Sequence, residues 1–304
     1  MVMNRAQFAR QLLEGINTIF GMEYREYPEL WRQSFEVSRS RKAYEEDVLN
    51  IGLGLARVKP EGQGIEYDGG REAWTKRYQH ETIALGFVLT EEAIDDNLYG
   101  SLSSKYAKGL ARSLQQTKEI KGHAIWNNAF DSNYVGGDGK ELLATDHPLA
   151  YGGTFANELS TPADLSETAL EDAIIRIKDF VDDRGLRINA MPKKLIVPNT
   201  LMFTAERILK SSLRPGTADN DVNATKSLGY FSTGFAATPY LTDPDAWFIV
   251  TDVQDGLKHM VRKNVQRGQE GDFDTGNFKY KATERYAFGW TDPRGAFGSP
   301  GSGT

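Results

Sequence analysis

Between Leu102 and Phe130 apolar residues return at every fourth position, at Leu102, Tyr106, Leu110 and Leu114, with Lys105, Lys108, Arg112, Gln115 and Gln116 between them. That period predicts an amphipathic helix with one solvated side. At 1.5 Å per residue it would run about 43 Å. Gly100-Ser101 opens it, and the polar stretch from Asn127 to Asn133 closes it. A repeat of four falls short of a full 3.6-residue cycle, so the stripe winds around the helix. Gly109 and Gly122 lie inside it. Each costs about 1 kcal/mol against Ala, which predicts close approach by another backbone at these points.

The rest of the chain alternates helical and extended patterns. Asn4–Phe20 carries Phe8, Leu12, Ile16, Ile19 and Phe20 on one side, with Gly21 placed to end the helix. Met22–Asn50 has no clean period: Tyr24, Tyr27, Trp31, Phe35 and Tyr44 sit among charges of both signs, and Pro28 interrupts. An irregular aromatic arm needs a surface, either its own core or a neighbouring subunit. Ile51–Val58 alternates as a strand does, Pro60, Gly62, Gly64, Gly69 and Gly70 form a loop tip, and Ala73–Leu89 resumes extended structure. Together they predict a long hairpin, and a two-stranded ribbon is marginal in water unless it leans on something. Thr90 caps a short acidic helix over 91–97.

Further on, Asp164–Asp183 reads as a helix with Leu170, Ala173, Ile174, Ile177 and Val181 inward, capped by Ser166 and ended by Gly185. Lys194–Val197 is a strand, Asn199–Ser212 a helix and Leu213–Thr225 a loop. Ala246–Thr251 is a buried strand that the Asp255-Gly256 turn would pair with Gly256–Lys263. Phe278–Trp290 alternates cleanly, with Glu284 alone breaking its apolar face. The final GSPGSGT is expected to be disordered. Helices in the middle, strands at both ends and no βαβ series give an α+β class.

Composition narrows the functions. The 304 residues include no cysteine, which excludes a disulfide framework and thiolate catalysis. A net charge of −6 argues against binding nucleic acid through bulk charge. There is no apolar signal core at the N-terminus and no run near 18 apolar residues, so neither secretion by that route nor a membrane span is expected.

The search for chemistry returns little. His80, His123, His147 and His259 are scattered without ligand spacing. Gly136–Lys140 lacks the phosphate-loop spacing, and Glu141 stands where a hydroxyl would be needed. Asp272–Gly276 resembles half a calcium loop with no closing glutamate. Glu91, Glu92, Asp95 and Asp96 could supply paired carboxylates for a hydrolase, but they suit a helix N-terminus better. No catalytic residue, cofactor or metal ligand is expected.

The order of parts, and several strings, carry a resemblance. FVLTEEAIDDNLYG (Phe87–Gly100) and RYAFGWTDPRGAF (Arg285–Phe297) resemble the tailed-phage major capsid proteins of the Hong Kong 97-type fold. YVGGDGKELLATDHPL (Tyr134–Leu149), FTAERILKSSLRPGTADND (Phe203–Asp221) and YLTDPDAWFIVTD (Tyr240–Asp252) are similar to the Mu-like head-subunit branch of that family. The resemblance implies an N-terminal arm (1–50), an extended loop (51–90), a peripheral domain with a spine helix (91–135), an axial domain (136–245), and peripheral strands with a tail (246–304). It implies a structural protein of the virion capsid, assembled in the host bacterial cytoplasm as pentamers and hexamers of a shell around double-stranded DNA. Expected partners are further copies of itself, a separate scaffolding protein, a portal and decoration proteins, with no membrane. Trp74, Lys76, Arg77 and Tyr78 on the loop, and Tyr24, Tyr27, Trp31 and Phe35 on the arm, are the expected inter-subunit contacts. Lys76 is on the element that some relatives cross-link, but no asparagine or glutamate partner is recognisable. An encapsulin-like compartment shell is the alternative on the same fold.

Overall fold

The computed structural model describes residues 5–90, 92, 99–214, 221–272 and 275–303. Two four-stranded sheets organise the chain. The first is built from β1 (Glu36–Arg39), β4 (Glu81–Leu89), β10 (Leu257–Gly271) and β11 (Phe278–Trp290), in the order β1-β10-β11-β4. Two helices cover one face of it: α1 (Arg5–Glu26) and the long α2 (Tyr99–Asn127). Ile16 and Phe20 of α1, Ala107, Leu110, Ala111 and Leu114 of α2, and Tyr280 and Ala282 of β11 form the core between them.

The buried face of α2 thus follows the 3.6-residue period of a straight helix, through 107, 110, 111 and 114. It does not follow the every-fourth-residue stripe. Tyr106 is 46% exposed, and Ala107 and Ala111 are fully buried because their small side chains let α1 lie close. The expectation at Gly109 fails, since an added Cβ there would meet nothing within 4 Å. At Gly122 the contact is tight, but with side chains: a Cβ would lie 3.0 Å from the Trp31 Cβ and 3.3 Å from the Phe288 ring.

Gly21 does not end α1, which runs on to Glu26. Its glycine penalty is offset by packing of the helix against α2. The arm beyond it is less irregular than expected, with a 3₁₀ turn at Trp31–Gln33, then β1 and β2 (Tyr44–Ile51). The hairpin is shifted accordingly. β2 pairs antiparallel with β3 (Arg71–Gln79), from Tyr44↔Gln79 to Ile51↔Arg71. Residues 52–70, expected to hold a strand at Ile51–Val58, have no regular strand. The stretch expected as one extended arm splits at His80, and β4 leaves to pair with β11. The expected helix at 91–97 lies outside the described residues, Glu92 apart.

The second sheet has the order β12-β9-β7-β8, from β7 (Pro192–Pro198), β8 (Phe235–Thr238), β9 (Trp247–Thr251) and β12 (Ala296–Ser299). Short strands β5 (His147–Pro148) and β6 (Thr154–Phe155) pair beside it in sequence. α3 (Glu167–Lys178) and α4 (Met202–Lys210) pack on the second sheet through Leu170, Ala173, Ile177, Ala205 and Ile208, against Leu195, Val197, Trp247, Ile249 and Phe297. A four-residue helix, α5 (Ala224–Ser227), follows α4. Ser166 caps α3 by accepting the Ala169 N–H. α3 stops at Lys178, short of the expected Asp183, because Val181 and Arg187 form a bridge across a turn where Gly185 has φ +80°.

Two further expectations are corrected. Asp255 does make a left-handed turn (φ +59°), but β10 does not pair with β9 across it. β9 already has β7 and β12 on its two edges, and β10 crosses to the first sheet. The tail is docked as far as it is described. Ser299 is buried with its hydroxyl donating to the Ala163 carbonyl, and the Ser302 N–H donates to Asp164.

Candidate functional site

Two surfaces were singled out by sequence, the extended loop and the arm. The base of the loop is held rigidly. Lys258 Nζ lies 2.6 Å from Asp47 Oδ2 on β2. The Tyr78 ring, buried against Met260 and Ala287, sits over Gly289, where any Cβ would collide with it. Its hydroxyl contacts the Trp290 carbonyl, and burial pushes the phenol well above its usual range. Lys76 Nζ donates to the Val135 carbonyl at 2.8 Å. Arg77 pairs with Glu46 and lies over the Tyr44 ring at 4.2 Å. Trp74 is half-buried next to Gly137. All four loop residues named from the sequence therefore engage their own subunit.

The bare part of the loop is its tip. Leu53, Leu55, Val58, Ile65 and Tyr67 are all exposed, Val58 at 94% and Tyr67 at 91%. Polar contacts give the tip its shape: the Gly54 N–H donates to Asp68 Oδ2 at 2.7 Å, and Arg57 pairs with Glu66. Arg184, from the turn after α3, reaches Asp68 at 2.6 Å and the Gly69 carbonyl at 2.9 Å. The Gly54 amide, then Arg184, hold the Asp68 carboxyl below the usual carboxylate range.

The arm aromatics also face inward. Trp31 meets His259 edge-on at 4.2 Å, and Phe35 meets Phe288 at 5.0 Å. The Tyr27 and Tyr240 hydroxyls are 2.8 Å apart. The Tyr24 hydroxyl donates to Glu284 Oε2 at 2.7 Å, and Lys118 lies 2.7 Å from the same oxygen. Burial, then the Glu284 charge, push the Tyr24 phenol far up. Glu284, the residue that breaks the apolar face of β11, is thus paired inside the core. Lys118, Glu119 and Arg184 were not singled out by sequence; a charged pair falling on the inner side of a helix was the available signal.

Two of the remaining candidates for chemistry, His147 and the glycine turn, have structural partners. His147 uses both ring nitrogens, on Asp138 Oδ2 (2.6 Å) and Asn157 Oδ1 (3.1 Å). In the glycine turn the Gly136 N–H donates to the Lys140 carbonyl, and Lys140 pairs with Asp146. Among the described residues no cluster of three or more His, Asp or Glu is arranged to hold a metal ion. Among them, too, no helix is long and apolar enough to cross a membrane.

A family model described as a phage capsid protein matches residues 72–298. No curated protein matches the chain. Among solved structures, it is similar to a virus-like particle from Pyrococcus furiosus, at 12% identity and a TM-score of 0.57, over 94% of this chain and 98% of that one. It is similar to the capsid of Myoviridae phage XM1 at 11% identity and a TM-score of 0.52, over 90% and 92% of the two chains. The capsid of cyanophage P-SCSP1u gives 10% identity and a TM-score of 0.57, over 89% and 87%. At such identities the likeness is one of fold, and the fold is the Hong Kong 97 type.

Proposed function

The chain belongs to the phage capsid protein family, and from that premise we propose that it is the major head subunit of a tailed double-stranded DNA phage, closing with copies of itself into an icosahedral shell. The observation that carries this reading is the family match across residues 72–298. The row of apolar residues left bare on a tethered loop supports it, since such a patch marks a surface made for a second chain. In this reading the arm is 1–50 and the extended loop 51–90, with β4 lent to the peripheral sheet; the spine helix is α2, and the axial domain is centred on the second sheet. Trp74, Lys76, Arg77 and Tyr78 fix the loop base, while residues 52–70 make the larger share of its contact with a neighbour. Tyr24, Tyr27, Trp31 and Phe35 anchor the arm. Scaffolding, portal and decoration proteins are the further partners, the host bacterial cytoplasm the place of assembly, and the Mu-like head subunits the branch.

A compartment shell that encloses protein is the second reading, because a virus-like particle shares the fold. The match to a phage capsid family favours the first. Negative-stain microscopy of concentrated protein should show closed shells, and particles taken from infected or induced cells should contain DNA. Sedimentation as a monomer at every concentration, with scaffold present, overturns the proposal. Particles that carry an enzyme and no DNA decide for the compartment.

A further inference from the structure

The arm reaches the rest of the chain through polar capture by one side of α2. Arg112 pairs with Glu23 at 2.5 Å, and Gln115 Nε2 donates to the Tyr24 carbonyl at 2.8 Å. Lys118 donates to the Tyr24 hydroxyl. One residue on, the fully buried Glu119 carboxylate accepts the Leu30 N–H on Oε1 (2.7 Å) and the Trp31 N–H on Oε2 (3.0 Å). It thereby caps the 3₁₀ turn that follows. Trp31 then fills the slot over Gly122, against His259 and Phe288. Positions 112, 115, 119 and 122 follow the helical period, so these contacts line one side of α2.

We propose that Tyr24–Phe35 is a latch that closes on α2 and opens as a unit, with the Glu119 carboxylate as its proton-responsive clasp. The groups around that carboxylate are Glu29 on the arm, Lys118 and His123 on its own helix, and Tyr240, itself bonded to Tyr27. Burial is the strongest influence and pushes the Glu119 carboxyl up to about 7. The Trp31 and Leu30 amides and Lys118 pull the other way, and Glu29 adds to the rise. Burial pushes the His123 imidazole below its ordinary range, and its bond to the Glu119 carbonyl opposes this. When the latch opens, Glu119 meets water and returns to the ordinary carboxylate range, so closing takes up a proton. The sign follows from a pKa that is higher in the closed state. Closing is favoured in full below the ordinary carboxylate range, and that advantage is lost as pH rises through about 7. The closing constant should fall roughly a hundredfold across this window.

Hydrogen exchange read by mass spectrometry on the full chain, corrected for the intrinsic pH dependence of exchange, tests this. Protection of amides in 27–35 should fall tenfold or more between pH 5.5 and 8, while protection in α3 stays level. Glu119→Gln should flatten the profile, and Gly122→Ala should lower protection at every pH but keep the slope. A flat wild-type profile overturns the proposal. So does a slope that survives Glu119→Gln, which would assign the proton to another group. If Glu119→Gln does not fold, Glu119→Asp sets the carboxylate back by one methylene; it must keep the slope with less protection, and unchanged protection also overturns the latch.

Discussion

Leu55 and Ile249 both lie in apolar segments that the sequence reads as strands, 51–58 and 246–251, yet Leu55 is 77% exposed and Ile249 is fully buried. The difference is what stands beside them. β9 has β7 on one edge and β12 on the other, and helices α3 and α4 share its core. The 52–58 segment has glycine at 52 and 54 between its leucines and no paired strand. Its polar contacts include the clasps at Asp68 and Glu66. An apolar segment prepares a surface; a partner decides whether it is buried. In the second sheet the partners are supplied by the same chain. On the loop they are left for another.

The largest effect expected from this comparison is on assembly. Replacing Pro60–Gly70 by a short Gly-Ser turn should abolish closed shells and leave the subunit folded, because the tip buries little apolar area within the subunit. Electron microscopy and circular dichroism of one preparation measure both. Normal shells, or an unfolded chain, would erase the contrast between the two regions.

A second test truncates an apolar side chain in each of the two places. Trp247 is fully buried, and its indole N–H donates to the Ala163 carbonyl at 2.9 Å. Trp247→Ala should cost about 3–5 kcal/mol of subunit stability, as large-to-small core changes do. Leu55→Ala should cost less than about 0.5 kcal/mol, the usual range for a surface change. Urea unfolding of each variant reads the difference directly.

Many elements were legible because their segments carry their own signals. Leu170, Ala173, Ile174 and Ile177 keep a helical period behind a serine cap, and Phe278–Trp290 alternates along its length. Pairing was not legible. Nothing in Trp247–Thr251 says that its neighbours are Pro192–Pro198 and Ala296–Ser299, because partner choice depends on residues far along the chain. The loop was misplaced by one strand, since Leu53 and Leu55 continue the alternation of Ile51 but stay unpaired. Tyr44–Ile51 pairs while half solvated, and so shows no clean period. The tail was misread from composition, as GSPGSGT looks like a linker until Ser299 meets Ala163. The loop and its tip could be seen in their glycines; the Arg184 tether and the Glu119 clasp could not, because each is a contact between remote segments.

Glycines sharpen the comparison at smaller scale. A Cβ on Gly298 would lie 2.8 Å from Leu143 Cδ1 and 2.9 Å from the Trp247 carbonyl. Gly298→Ala should therefore cost about 1–3 kcal/mol through overpacking. At Gly64 a Cβ would meet nothing within 4 Å, and the backbone is not left-handed there. Gly64→Ala should stabilise by about 0.4–1 kcal/mol, because it restricts the unfolded chain more than the native one. Thermal unfolding of the two variants should shift in opposite directions.

The smallest effect is expected where the two regions meet. Asp68 on the loop accepts the Gly54 N–H and pairs with Arg184, which belongs to the turn beyond α3. Its carboxyl is held below the usual carboxylate range, so the contact is present above that range and is lost as pH falls through the depressed value. The group is solvent-exposed, and salt and water screen the pair, so global stability should hardly move. Local order should move. Asp68→Asn removes the charge while keeping one acceptor, and exchange of the Gly54 amide should quicken several-fold with no change in the unfolding midpoint. The same quickening should appear in the wild type at low pH and be absent from the pH profile of the variant. If Asp68→Asn instead lowers the midpoint as a core change does, the loop is part of the cooperative fold, and the contrast between the loop and the second sheet fails at its hinge.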